Sequence, residues 1–247
     1  MTIPTTTTTI VVGASRGLGR GIAAALAEAG RPVIAVARSA DTLGELADQN
    51  ANIRTEVADA SDPASAQRLI EEHRPGSLVL VAGAVPQILP LQEQTWETFS
   101  TNWNADVRIA FEWVRETLTR PLAPGSTVIV ISSGAALRGS PLSGGYAGSK
   151  ATQRFITAYA QEEANRAGLG ITYTAILPVI TPLGEVGRPA VIAYAERSGK
   201  SEQEYLGPDP LLTPETAGAA VAELVQSDPA AVAPAYRLTG GGLQKLP

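Results

Sequence analysis

The chain has 247 residues, of which 44% are hydrophobic and 17% charged, a composition typical of a folded globular protein. The net charge of −5 argues against a nucleic-acid-binding protein. There is no cysteine, and His73 is the single histidine, which excludes disulfides and cysteine- or histidine-rich metal sites, so no metal is expected. Without a membrane-length apolar run or a signal pattern, we expect a cytoplasmic protein that does not bind membranes.

Short apolar runs alternate with helix-like segments along the chain. Strands are predicted at residues 9–12, 33–37, 53–58, 78–82, 127–131, 171–176 and 236–239. Helices are predicted at residues 17–29, 41–49, 62–73, 93–119 and 145–167. Continuously apolar strands that alternate with helices indicate a parallel sheet covered on both faces, in one domain that spans residues 1–247.

The segment 93–119 has a clear helical period. Its predicted buried stripe consists of Trp96, Phe99, Trp103, Val107, Ala110, Val114 and Leu118. Ile109, Phe111 and Trp113 lie off this stripe, so we expect them either to meet a second neighbour, such as another subunit, or to pack locally. Residues 182–214 are rich in proline, which predicts an irregular segment that covers the binding site.

A glycine-rich turn from Gly13 to Gly19 follows the first predicted strand and opens the first predicted helix. Glycine permits a tight turn and close approach of a ligand to the backbone, and a helix N-terminus attracts anions. The spacing G-x-x-x-G-x-G differs from the commonest dinucleotide fingerprint, G-x-G-x-x-G. The turn predicts a pyrophosphate site, and a turn that merely needs glycine is the alternative.

Charged residues near the next two strand ends bear on the type of cofactor. Asp59 closes the third predicted strand, where it either accepts a hydrogen bond from an adenine amino group or caps the next helix. Arg38 follows the second strand, where an acid normally binds the ribose of NAD, and Arg16 lies in the glycine turn. Two guanidinium groups without an acid favour the 2′-phosphate of NADP(H) over NAD(H).

Tyr146 and Lys150 are four residues apart at the start of a predicted helix, so they share one face. A free tyrosine, with a pKa near 10, transfers its proton poorly at pH 7. An ammonium about 4 Å from a phenolate stabilises it by roughly 4 kcal/mol at an effective dielectric near 20, which favours general acid–base catalysis. Ser132 and Ser133 end the preceding strand, where a hydroxyl is placed to hold a substrate oxygen.

Taken together, these motifs resemble those of the short-chain dehydrogenases/reductases over essentially the whole chain. In chain order they are Gly13-x-x-x-Gly17-x-Gly19, Asp59, Ala82-Gly83, Asn104, Ser132-Ser133, Tyr146-x-x-x-Lys150 and Leu238-Thr239-Gly240-Gly241-Gly242. The resemblance implies a Rossmann-type α/β fold, a doubly wound parallel sheet of about seven strands. It also implies a homodimer or homotetramer assembled through the helices that begin near Glu93 and Gly145.

The resemblance also implies roles for individual residues. Tyr146 would exchange a proton with the substrate oxygen, and Lys150 would assist it and bind the nicotinamide ribose. Ser133, thirteen residues before Tyr146, would orient the substrate oxygen, and Asn104 would hold a water that connects Lys150 to solvent. The implied cofactor-binding residues are Gly13, Ser15, Arg16, Gly17, Leu18, Gly19, Arg38, Asp59, Ala60, Ala82, Gly83, Tyr146, Lys150, Pro178 and Thr181.

Two segments depart from the family pattern. Leu80-Val81 stand where the family usually has two asparagines before Ala82-Gly83, so polar contacts that brace the sheet must be absent or replaced. After the sixth predicted strand, Val179 stands where the family usually has glycine, so the backbone that faces the nicotinamide is expected to sit differently.

The sequence therefore predicts an NADPH-preferring carbonyl reductase or alcohol dehydrogenase that acts on a small, mostly apolar carbonyl or alcohol substrate. Tyr194, Tyr205 and Leu206 are candidate residues of the substrate wall. One alternative is a dinucleotide-binding sensor or scaffold with little turnover. Another is a dehydratase or epimerase on the same scaffold.

Overall fold

The computed structural model describes residues 7–182, 184 and 187–246. Within these residues eight strands form one sheet in the order β3-β2-β1-β4-β5-β6-β7-β8. The strands are β1 (Thr9–Val12), β2 (Val33–Ala37), β3 (Ile53–Val57), β4 (Ser77–Leu80), β5 (Thr127–Ile131), β6 (Thr172–Pro178), β7 (Ala235–Thr239) and β8 (Gly242–Leu246). Strands β1 to β7 are parallel, and β8 returns antiparallel to β7.

Helices connect the parallel strands. They are α1 (Gly17–Glu28), α2 (Ala40–Ala47), α3 (Pro63–His73), α4 (Trp96–Asn102), α5 (Arg108–Thr119), α6 (Ala135–Arg138), α7 (Tyr146–Arg166), α8 (Gly187–Arg197), α9 (Glu202–Leu206) and α10 (Pro214–Gln226). No helix among the described residues is long and apolar enough to cross a bilayer.

Alternate residues of the strands face two apolar layers. Val11 of β1 packs with the buried faces of α1, α2 and α10. Its neighbours Ile10 and Val12 belong to a second layer with α3, α5 and α7. The sheet is therefore covered on both faces, as predicted; β1, β2, β4, β5 and β6 are buried along nearly their whole length, whereas the edge strand β3 exposes Arg54 and Thr55.

The sheet gains one strand that the sequence analysis did not predict. The chain turns at Gly242, which has a φ of +101°, and β8 pairs with β7 from Thr239↔Gly242 to Ala235↔Leu246. Strand β8 is only partly buried and carries exposed Gln244 and Lys245, so it lacks the continuous apolar run that marks β1, β2 and β5.

The segment 182–214 is more regular than predicted, because it contains helices α8 and α9; residues 183, 185 and 186 lie outside the described part. Pro189 falls in the first turn of α8, where a missing N–H costs no helical hydrogen bond. Helix α9 starts with a capping box in which Ser201 and Glu204 satisfy each other's backbone N–H groups. The prolines thus mark helix starts and connections rather than one long loop.

The predicted stripe along 93–119 is confirmed only in its second half, where Ala110 and Val114 are buried and Leu118 packs against the core. Trp96 and Trp103 are exposed, whereas Ile109 and Trp113, which lie off that stripe, are buried. A π-helical turn at Trp103–Val107 separates α4 from α5. A π turn has a wider i→i+5 repeat, which rotates the following helix relative to a continuous 3.6-residue period. Local packing, the second of the two expectations, therefore describes Ile109 and Trp113.

Candidate active site

A cleft of about 1300 Å³ opens at the carboxyl ends of the central strands. Strands β1 and β4 are neighbours in the sheet, while the chain runs from β1 outward to β2 and β3 before it returns to β4. This reversal is the topological switch point at which ligands bind in open parallel sheets. Residues from the loops after β1, β2, β4, β5 and β6 line the cleft, so the fold brings distant segments of sequence to one place.

The glycine turn forms one wall of this cleft. Gly13 has a φ of +93°, and a Cβ there would lie 2.6 Å from the Ala82 nitrogen. A Cβ at Gly19 would lie 2.0 Å from the Gly13 oxygen, so the turn needs glycine at both positions. The cleft is lined by Gly13, Arg16, Gly17, Leu18 and Gly19, whereas Ser15 is not among its lining residues.

The N-terminus of α1 fits an anionic group. No side chain caps it, and its first turn carries no acidic residue. By contrast Ser39, Asp62 and Thr213 cap α2, α3 and α10. An uncapped helix start at the wall of the cleft offers N–H groups and the positive end of the helix dipole to a phosphate.

Arg38, Asp59 and Ala60 line the end of the cleft beyond β2 and β3. Asp59 Oδ1 accepts hydrogen bonds from the Ser61 backbone N–H at 2.9 Å and from its hydroxyl at 2.7 Å. These two donors, together with smaller contributions from Arg38 and Arg108, hold the pKa of the Asp59 carboxyl below its ordinary value. Asp59 therefore shapes a local turn and also presents its charge to the cleft.

The predicted proton-transfer residues Ser133, Tyr146 and Lys150 line the same cleft. The Lys150 ammonium lies 5.6 Å from the centre of the Tyr146 ring. The two adjacent serines differ in environment. Ser132 is buried and donates to the Lys150 carbonyl at 2.7 Å, whereas Ser133 is half-buried and faces the cleft. Ser133 is therefore the hydroxyl within reach of a ligand.

Asn104 is not brought to this cluster. Its side chain is exposed, lies 3.4 Å from the Ser100 hydroxyl, and does not line the cleft. The helical path places Asn102 and Asp106 on the inner side instead, where both are buried. The expected water-holding role of Asn104 beside Lys150 does not fit its position, because residue 104 falls on the outer side of the π-helical turn.

Asn102 and Asp106 brace the loop after β4, where the two family asparagines are missing. The Asn102 amide donates to the Ala84 carbonyl at 2.7 Å, and Asp106 Oδ1 accepts from the Ala84 N–H at 2.8 Å. A Cβ at Gly83 would lie 2.7 Å from Asp106 Oδ2, so glycine is needed for this approach. The missing polar contacts are therefore replaced from the opposite side of the loop.

Asp106 also pairs with Lys150. The Lys150 Nζ lies 3.0 Å from Asp106 Oδ2 and donates to the Ile131 carbonyl at 3.3 Å. Burial alone lowers the pKa of Lys150, but the Asp106 carboxylate and the Tyr146 phenol raise it, and the pKa lies above its ordinary value. Asp106 was not predicted from the sequence. The pattern that could have indicated it is its i, i+4 spacing from Asn102, on a helix beside the Ala82-Gly83 turn.

The backbone after β6, at the second departure from the family pattern, is held by hydrogen bonds to two other segments. The Val179 N–H donates to the Leu238 carbonyl at 2.8 Å, and the Pro178 carbonyl accepts from the Gly134 N–H at 2.8 Å. Val179 also packs partly against the core, which accommodates its side chain. Pro178 and Thr181 line the cleft, as the resemblance implied.

A family model for short chain dehydrogenases matches residues 7–188, which include the glycine turn, Ser133, Tyr146 and Lys150. The chain belongs to the short-chain dehydrogenase family.

Three curated relatives of this short-chain dehydrogenase are reductases by name. L-xylulose reductase of Bos taurus is 27% identical over 180 residues, which cover 71% of this chain and 73% of that protein. Hydroxynaphthalene reductase-like protein Arp2 of Metarhizium acridum is 31% identical over 180 residues, 68% of this chain and 66% of that protein. Carbonyl reductase [NADPH] 2 of Sus scrofa is 30% identical over 127 residues, 50% and 52% respectively.

A solved structure shares the whole fold. A variant of actinorhodin polyketide ketoreductase, crystallised with NADPH, superposes with a TM-score of 0.80 at 20% identity and covers 98% of each chain. At this identity the similarity establishes the fold, an α/β sheet flanked by helices.

Proposed function

We propose that this short-chain dehydrogenase is an NADP(H)-dependent oxidoreductase that interconverts a carbonyl compound and an alcohol. The observation that carries the proposal is that Ser133, Tyr146 and Lys150 line the same cleft as the uncapped glycine turn of α1. The residues for proton transfer and a site suited to a pyrophosphate thus lie in one cavity.

Each residue has a defined part in this reaction. Ser133 donates a hydrogen bond to the substrate oxygen and holds it beside Tyr146. Tyr146 donates its proton to that oxygen during reduction and accepts it during oxidation. The Lys150 ammonium stabilises the phenolate that remains and binds the nicotinamide ribose. The nicotinamide, when bound, supplies or accepts the hydride.

Two positive charges support a preference for NADP(H). Arg16 and Arg38 both line the cleft and both are exposed there, and no carboxylate follows β2 at residues 37 or 38. Guanidinium groups bind phosphate oxygens through charge-assisted, often bidentate, hydrogen bonds. The pig carbonyl reductase named for NADPH and the ketoreductase crystallised with NADPH agree with this preference.

The substrate end of the cleft is mostly apolar. Ile88, Leu137 and Leu206 line it, together with Tyr194 and Tyr205, whose rings stack with centres 6.2 Å apart. The Tyr194 hydroxyl lies 2.8 Å from the Ser140 hydroxyl and accepts from the Leu142 N–H at 3.0 Å, so α8 is tied to the loop before Tyr146. We propose that the segment 182–214 covers a modest, mostly apolar carbonyl substrate.

Turnover with a panel of aliphatic, aromatic and sugar ketones tests the proposal. We expect NADPH oxidation by the natural protein. Tyr146→Phe should keep NADPH binding and lose at least a hundredfold in turnover, because general acid–base catalysis contributes about 10²–10⁴-fold. Tyr159→Phe, at an exposed position of α7, is the matched control and should not change the rate.

The same experiment separates the alternatives. NADPH binding without turnover on any ketone would favour the sensor or scaffold. Loss of water from a hydroxylated substrate, or inversion at its carbon, would favour the dehydratase or epimerase. Binding of neither NADPH nor NADH would overturn the proposal altogether.

A further inference from the structure

We propose that Asp106 is a positioning residue that holds the Lys150 ammonium in place and in its charged form, and ties it to the loop after β4. This inference rests on the proposed function, since Lys150 is the residue that assists Tyr146. The resemblance assigned no role to position 106.

Asp106 lines the cleft, yet its side chain is buried and its carboxylate is held from several directions. Its side chain is 1% exposed, and Oδ1 accepts from the Ala84 N–H at 2.8 Å and from the Asn102 amide at 3.2 Å. The Asp106 carbonyl accepts from the buried Gln153 amide at 3.0 Å. Donors from α4, α7 and the loop after β4 thus hold Oδ1 and the backbone carbonyl of Asp106 in place.

The other oxygen has one charged neighbour. Oδ2 accepts no regular hydrogen bond from a described residue, and the ion pair with Lys150, 3.0 Å away, balances its charge. A buried carboxylate without a paired cation is strongly destabilised, so the carboxylate and the ammonium hold each other in the charged state.

The ammonium is held from two directions. An ammonium has three N–H donors. Lys150 Nζ contacts Asp106 Oδ2, in the π-helical turn before α5, and the Ile131 carbonyl at the end of β5. Tyr146 faces it from the start of α7. Two contacts leave a donor for the phenol or a ribose hydroxyl, and they restrict the rotation of a side chain that is otherwise flexible.

Removing the Asp106 carboxylate should change the pKa of Lys150 in a predictable direction. Asp106 and Tyr146 are the ionisable groups that act on Lys150. With Asp106 neutral, burial remains as the dominant effect and lowers the pKa of Lys150. The lysine of Asp106→Asn should therefore lose its proton at a lower pH than the lysine of the natural protein.

The test uses the full chain without cofactor. Its lysine signals are few enough to distinguish by NMR, because the chain contains three lysines, Lys150, Lys200 and Lys245. In protein labelled with ¹³C-lysine, NMR titration of the side-chain signals reads each ammonium, and Lys200 and Lys245, both exposed, serve as internal references. Lys150→Met assigns the third signal. In Asp106→Asn the Lys150 midpoint should fall to a lower pH than in the natural protein.

Two further variants keep the test decisive. Glu116→Gln removes a buried carboxylate from α5 that pairs with Arg120 outside the cleft, and should leave the Lys150 signal unchanged. Gly83→Ala should shift it in the same direction as Asp106→Asn, since the added methyl displaces Oδ2. Gly83→Ala also serves if Asp106→Asn does not fold.

NADPH titration at pH 7 and pH 9 gives the functional readout. Asp106→Asn should bind NADPH more weakly than the natural protein does, and the difference should widen between pH 7 and pH 9. A Lys150 midpoint that is the same in Asp106→Asn and the natural protein overturns the inference even if the enzyme is active. A shifted midpoint in a protein that binds no cofactor overturns the proposed function and leaves the Asp106 pairing standing.

Discussion

The adjacent serines at the end of β5 illustrate how neighbours in sequence take different parts. Ser132 points into the fold and donates to the Lys150 carbonyl, while Ser133 faces the cleft. Both residues follow the end of β5 and line the cleft, but the Ser132 hydroxyl is buried and engaged by the Lys150 carbonyl, so Ser133 is the more accessible hydroxyl. The thirteen-residue separation from Tyr146 selected the same serine from the sequence alone.

Arg38 provides a prediction at the scale of one residue. Arg38→Ala should weaken NADPH binding ten- to a hundredfold and leave NADH binding unchanged, because a hydrogen bond to a charged group contributes about 1.5–3 kcal/mol. Calorimetric titration of both cofactors measures the ratio. Arg166→Ala, on the exposed end of α7, controls for the loss of one positive charge. Equal losses for NADPH and NADH would contradict a 2′-phosphate contact.

Helix α1 owes its position to close backbone contacts at both of its sides. Gly13 and Gly19 let its first turn meet the loop after β1, and a Cβ at Gly21 would lie 2.2 Å from the Pro214 carbonyl oxygen of α10. Small residues along α1 thus set both the binding turn and the packing of α1 on α10. The same glycines that indicate a phosphate site are also required for packing.

A glycine exchange tests the element that binds the cofactor. Gly19→Ala places a methyl 2.0 Å from the Gly13 oxygen, so the turn must open, and both NADPH affinity and thermal stability should fall. Gly44→Ala in α2 is the matched control, because a Cβ there meets nothing within 4 Å. It should raise stability by about 0.5–1 kcal/mol and leave binding unchanged. Thermal unfolding with and without NADPH distinguishes the two; unchanged affinity in Gly19→Ala would refute the turn as the phosphate site.

At the scale of the molecule, two packed helices keep exposed aromatic side chains. Phe155 and Tyr159 are four residues apart on α7, stack with ring centres 6.1 Å apart, and are 56% and 60% exposed. On α5, which packs against α7, Phe111 is 50% exposed. Such rings favour burial, and the family resemblance implies assembly through these helices, so we propose that a second copy of the chain covers them.

Sedimentation of the natural protein should give a dimer or tetramer. The double variant Phe155→Ser/Tyr159→Ser should shift the distribution toward monomer at the same concentration, because it removes two large apolar contacts. Val57→Ser, at a residue that is 55% exposed on the edge strand β3, is the control and should leave the assembly intact. A natural protein that is monomeric at high concentration would contradict the proposal.

Much of the fold and part of the candidate site follow from local sequence. Strands β1, β2 and β5 have the predicted bounds because each is a short, continuous apolar run between breakers. Tyr146 and Lys150 share a helix face because four residues make about one turn.

The rest depended on how the elements pack. Asp106 lies in the π-helical turn at Trp103–Val107, where it meets Lys150 while Asn104 is exposed, and the sequence did not show which distant residue Asp106 would meet. Strand β8 forms only because β7 offers it an edge, and α8 is fixed partly by the contact of Tyr194 with Ser140. The sequence by itself determined the seven parallel strands and the glycine turn, because local spacing encodes them, and it predicted the Ser-Tyr-Lys set that the fold brings to one cleft. The tertiary structure alone decided which helix face is buried and which carboxylate pairs with the lysine, because these depend on contacts between segments far apart in the chain.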